Sequence, residues 1–165
     1  MHLCPSFSNM DIIEKWRKAY DPLYGLIPPH ITLCFPFESE ITTSELIHHM
    51  QTVLEDISCF KLVLNGYRMH KQEYLFLEVT AGRESIINCH QRLYSGKLKD
   101  YFEPNQSYAP HLTIGRFQSP ELLKQAYSKV SQFDMIFESE ITSVLLERIR
   151  PDDSSEVEYI YDLNS

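Results

Sequence analysis

Glycine is scarce in this chain, five residues in 165, and none of them forms a GxGxxG or Walker arrangement. A glycine loop cradling a dinucleotide or a nucleoside triphosphate is therefore not expected. Basic residues are also in short supply: 15 Lys and Arg face 23 Asp and Glu, a formal net charge of −8. Such a chain repels a long polyanion unless its few cations gather on one face, and no local cluster of Lys and Arg supplies that face. A long duplex is excluded as a partner, whereas a small substrate or the end of a nucleic acid fits. No apolar run approaches the roughly 20 residues that span a bilayer, so no membrane partner is expected. The opening "MHLCPSFSNM" has neither a basic nor a long apolar region, so no signal peptide is expected either. The four cysteines, Cys4, Cys34, Cys59 and Cys89, are scattered without CxxC spacing, the usage of reduced, mostly buried thiols in a cytoplasmic protein. HExxH is missing, and the adjacent His48 and His49 would point about 100° apart on a helix. His2, His70 and His90 have no partner pattern. Neither a metal nor another cofactor is expected.

What is present is an ordinary globular composition, 43% hydrophobic and 23% charged, long enough to bury a core as one domain over residues 1–165. Helical spacing of Ile12, Ile13, Trp16, Ala19 and Tyr20 predicts a helix over 9–20, with Asn9 as its cap. The prolines and glycine of 21–29 make a loop. "HITLCF" (30–35) alternates as a strand. Thr42-x-x-Glu45 is a capping box opening a helix whose apolar face runs from Leu46 to Ile57. Strands follow over 60–69 and 73–79, joined by the polar turn "HKQ". A helix is predicted over 84–98, a loop over "DYFEPNQS", and a strand over 108–117. Ser119-Pro120-Glu121 opens a helix to about Val130. Three strands close the chain at 133–141, 143–149 and 157–163. Each half runs strand, helix, then two strands, which predicts an internally two-fold α+β domain.

Two phrases mark the halves: "PPHITL" at 28–33 and "APHLTI" at 109–114. In a strand, residues i and i+2 share a face, so His30 stands beside Thr32 and His111 beside Thr113. A single His-x-Thr is most often an accident of composition. Two in the same Pro-His-aliphatic-Thr-aliphatic setting, about half the chain apart, are not. If both pairs face one cleft, it holds two imidazoles and two hydroxyls with no carboxylate among them. That set suits phosphoryl chemistry: one histidine activates the attacking group, the other protonates the leaving oxygen, and the threonines hold non-bridging oxygens. No step requires a metal.

The pair "PHITL" and "PHLTI" resembles the twin HxTx motifs of the two-histidine (2H) phosphoesterase superfamily, which includes 2′-5′ RNA ligase-like proteins and cyclic phosphodiesterases. "YDPLYGLIPPHITL" is similar to the approach loop of its bacterial YjcG-like branch. The resemblance implies a bilobal, pseudo-two-fold fold, with an antiparallel sheet in each lobe, helices outside and a central cleft. It implies His30 and His111 as the acid and base, and Thr32 and Thr113 as phosphoryl ligands. The substrate it implies is a small cyclic phosphodiester, a nucleotide, or an RNA end carrying a 2′,3′-cyclic or 2′-5′ linkage. Against the family's usual opening strand, "MHLCP" looks shortened. Arg116 follows the second motif, but alternation places it on the face opposite His111. Tyr24 and Tyr108 are positioned to stack on a base, although packing is the commoner role. Two alternatives remain at this point: a non-catalytic nucleotide- or RNA-end-binding module, and a purely structural duplicated domain.

Overall fold

In the computed structural model, which describes residues 1–105 and 107–165, the elements run β1 (His2–Leu3), α1 (Met10–Tyr20), β2 (Ile31–Thr32), α2 (Thr43–Val53), β3 (Phe60–His70), β4 (Tyr74–Ala81), α3 (Arg83–Leu93), β5 (His111–Arg116), α4 (Pro120–Val130), β6 (Ile136–Ile141), β7 (Ser143–Ile149) and β8 (Ser155–Asp162). Local chemistry accounts for the starts of two helices. The capping box forms in full: Thr42 Oγ1 accepts from the Glu45 amide, and Glu45 Oε2 accepts from the Thr42 amide. Ser119 Oγ accepts from the Leu122 amide, with Pro120 in the first turn of α4. Asn9 makes no cap bond; its amide instead donates to the Ile136 carbonyl and ties α1 to β6.

Several predicted elements are shorter than their sequence pattern. The helix expected over 84–98 stops at Leu93, because Gly96 takes φ 51° and the chain continues as a 3₁₀ turn over Gly96–Tyr101. The helix expected to run to Ile57 ends at Val53. The first motif strand contributes only Ile31–Thr32, since the Leu33 and Cys34 amides both donate to the Met1 carbonyl and leave the ladder. The second begins at His111, after a proline that cannot donate.

The strands form two four-stranded sheets, ordered β2-β1-β7-β8 and β5-β4-β3-β6, and every pairing within them is antiparallel. Helices α1 and α4 pack on the second sheet; α2 packs on β8 and α3. This is a bilobal α+β fold. The lobes, however, are not the halves of the chain. β2 joins strands from the two ends, while the strands after it, β3 and β4, cross to the lobe of the second motif. What repeats is the position: β2 and β5 each occupy an edge of their sheet. The short β1 is interior, pairing His2 with Thr32 on one side and with Leu145 on the other. Buried leucines, isoleucines and Phe137 fill the faces turned to the helices. Among the described residues, no helix is long and apolar enough to cross a membrane.

Candidate active site

Each motif histidine is anchored in the same way. His30 Nδ1 lies 2.8 Å from the Pro28 carbonyl and His111 Nδ1 lies 2.7 Å from the Ala109 carbonyl. A carbonyl only accepts, so Nδ1 carries the proton in both rings, and in the neutral ring Nε2 is left with its lone pair. The prolines make this possible, because an X-Pro step holds the preceding backbone extended and turns that carbonyl towards the ring two residues later. His30, Thr32, His111 and Thr113 all line one cleft of about 1510 Å³ between the lobes. The two motifs therefore converge.

Neighbouring strands hold the rings. Phe76 on β4, paired with Thr113 across the ladder, stacks on His111 with centroids 3.7 Å apart. His70 also stacks on Phe76, at 5.4 Å, and the Arg68 guanidinium sits 5.4 Å from the Phe76 centroid. On the other lobe the His2 ring lies 5.0 Å from that of His30. Burial lowers both motif pKa values. For His111, which falls to about 4, burial dominates; the Ala109 carbonyl opposes it, and Arg68, His70 and His30 push further down. His30 is lowered by burial, opposed by the Pro28 carbonyl and assisted by Arg17 and Arg116. Each ring is therefore a neutral imidazole at neutral pH, ready to accept a proton at Nε2. An anion entering between them favours protonation of one.

The loop 21–29 is fixed by a buried ion pair that spacing alone did not mark. Arg17, 2% exposed, donates from Nε to Asp21 Oδ2 at 3.1 Å and from Nη2 to the Leu23 and Ile27 carbonyls. Asp21 also accepts from the Leu23 amide and pairs with Arg116. That last contact corrects the alternation argument. β5 carries an extra residue opposite Leu75 and Phe76, so that Thr113 pairs with Phe76 while Gly115 pairs with Leu75. The bulge returns Arg116 to the face of His111 and Thr113, where it lines the cleft. Gly115 permits this, because a Cβ there would lie 2.7 Å from the Phe117 ring and 3.0 Å from Tyr20 Cβ.

The tyrosines divide. Tyr24 is 40% exposed and stands outside the cleft lining. Tyr108 is at the cleft edge but is held by structure: its hydroxyl donates to the Thr32 carbonyl at 2.7 Å, and its ring stacks on His90 at 3.6 Å. His90 Nδ1 in turn donates to the Leu33 carbonyl at 2.7 Å. Tyr108 and His90 thus carry the carbonyls of a motif strand too short to hold itself. Sequence inspection singled out only Arg116 among the cations of the cleft. Arg68, Lys71, Arg116, Arg148 and Arg150, from three strands and two turns, all line the cleft. They fall in three groups, at 68–71, at 116 and at 148–150, far apart in the chain, so only the tertiary fold gathers them on one face.

With this geometry in view, comparison with known proteins is consistent. The family model described as the 2′-5′ RNA ligase superfamily matches residues 5–153. A Bacillus licheniformis protein bearing a provisional phosphoesterase name is 34% identical over 119 residues, 69% of this chain and 68% of that protein. A Geobacillus sp. protein of the same description is 29% identical over 142 residues, 84% of this chain and 80% of its own. Among solved structures, TT0787 of Thermus thermophilus superposes with a TM-score of 0.60 over 99% of this chain and 98% of that one. At 15% identity it speaks to the fold alone.

Proposed function

The chain belongs to the 2′-5′ RNA ligase superfamily, and on that premise we propose that it is a metal-independent phosphoesterase opening a cyclic phosphodiester or an RNA end with a 2′,3′-cyclic or 2′-5′ linkage. The observation that carries the reading is the matched tautomer. Both histidines donate from Nδ1 to the carbonyl two residues back and keep Nε2 for the cleft. His30 and His111 divide proton transfer: neutral Nε2 of one takes the proton of the attacking water, and protonated Nε2 of the other delivers its proton to the leaving oxygen. Thr32 and Thr113 donate to the non-bridging oxygens, and Arg116 and Arg68 balance the phosphate charge. The cations of the cleft answer the objection from the overall charge of −8, because a small anion meets the local field and not the total.

The test is a panel of 2′,3′- and 3′,5′-cyclic nucleotides and short RNAs ending in a 2′,3′-cyclic or 2′-5′ linkage, assayed with excess chelator. Turnover of at least one substrate is expected, undiminished by the chelator. Binding without turnover across the panel would make the domain a nucleotide- or RNA-end-binding module. Turnover abolished by chelation and restored by metal would refute the two-histidine mechanism.

A further inference from the structure

Next to His30, but outside the twin motifs, three side chains of different chemistry meet. His2 on β1, Cys4 just after it and Glu147 on β7 bring a ring nitrogen, a thiol sulfur and a carboxylate oxygen within 4.8 Å of one another. His2 is 7% exposed, and the Glu147 side chain 6%. A histidine and a carboxylate this deep normally share a hydrogen bond. Here Nε2 of His2 and Oε1 of Glu147 are 3.2 Å apart, yet among the described residues His2 Nε2 has no hydrogen-bond partner. The two atoms are close without pointing along a common N–H axis. That is the relation of two ligands aimed at a third point. Bonds of 2.0–2.1 Å in a tetrahedron put nitrogen and oxygen donors about 3.4 Å apart, close to the separation here, and a 2.3 Å bond to sulfur puts it about 3.6 Å from either. The Cys4 sulfur lies within 4.8 Å of both other donors.

We propose that His2, Cys4 and Glu147 form a binding site for a divalent transition ion of the zinc class, distinct from the two-histidine machinery. The donor set selects the ion. One imidazole, one thiol and one carboxylate are borderline-soft, suited to zinc or cobalt and poor for magnesium or calcium, which require oxygen. Thiolate and carboxylate together balance a 2+ charge. His2 and Glu147 also line the cleft, so a fourth position opens to solvent.

The site is tested on the whole chain by optical titration, which needs no turnover, so that its failure and failure of the phosphoesterase reading are separate events. The protein is stripped with chelator and titrated with Co²⁺, then Zn²⁺. One equivalent of cobalt should bind per chain, with the visible bands of tetrahedral cobalt and a near-ultraviolet thiolate-to-cobalt charge-transfer band, both displaced by zinc. Cys4→Ser should abolish the charge-transfer band, and Glu147→Gln should weaken binding by about tenfold or more. Cys34→Ala, which removes a cleft-lining thiol outside the proposed site, should leave the band intact. Because His2 is on an interior strand and its variants are at risk of unfolding, Cys4→Ser carries the test, with circular dichroism to verify its fold. Absence of the band in the parent protein, or its survival in folded Cys4→Ser, overturns the proposal.

Discussion

His30 and His111 each commit one ring nitrogen to a backbone carbonyl and leave the other for chemistry. At this scale the decisive question is whether each ring moves a proton. His30→Ala and His111→Ala should each lower kcat by on the order of 10²-fold or more, because each removes a proton-transfer partner. The double variant should lose far less than the product of the two single losses, since the pair acts as one unit. Thr32→Val and Thr113→Val should cost less, losing one hydrogen bond to the phosphoryl group. kcat/KM should be bell-shaped in pH, with an acid limb shifted below an ordinary imidazole titration, because both rings are depressed by burial. Steady-state kinetics on the substrate found in the panel decide this; a wild-type kcat in His30→Ala would remove that residue from the machinery.

At the scale of elements, the bulge in β5 does what an unbroken strand cannot. It carries Arg116 to the cleft face without moving His111 or Thr113 off it. Gly115 is the hinge of that arrangement, pressed between the Phe117 ring and Tyr20 on α1. Gly115→Ala should therefore destabilise the protein by about 1–3 kcal/mol, the usual range for forcing a methyl into a filled core. It should also raise KM for an anionic substrate, since relief of the clash displaces Arg116. Denaturant titration and kinetics on the same variant read the two effects, and an unchanged midpoint would show that the close approach is not a constraint.

For the whole molecule, the buried histidines link stability to pH. His2 falls to about 3 and His111 to about 4, while His30 and His90 are also lowered, in each case chiefly by burial. In the unfolded chain these imidazoles titrate near 6.5. Above that pH both states are neutral and the stability is complete. As the pH falls from about 6.5 towards 4, the unfolded chain takes up protons that the native fold refuses, so stability declines through this window. Tm should fall by several degrees between pH 7 and pH 5, before most carboxylates titrate. Replacing His111 with Gln should flatten part of that slope; thermal unfolding followed across pH measures it, and a flat Tm in the parent protein would contradict the burial of these rings.

Much of this protein is local and therefore legible along the chain. The i, i+2 geometry of the two phrases, the capping box at Thr42 and the Ser119-Pro120 opening each involve residues within a few positions, so their side chains meet wherever the segment ends up. The family and the α+β class follow from such features. The exchange of β3 and β4 into the other lobe is different. It depends on which edge each strand finds, and no pattern within a strand encodes its partner. The same holds for the face of Arg116, which a single extra residue reversed, and for the cations of the cleft, dispersed in sequence from Arg68 to Arg150. It holds equally for His2 and Cys4, at the start of the chain, and Glu147, on a strand more than a hundred residues away, which meet only because β1 pairs with β7. Short-range sterics and hydrogen bonding specify the motifs; long-range strand pairing decides what stands around them.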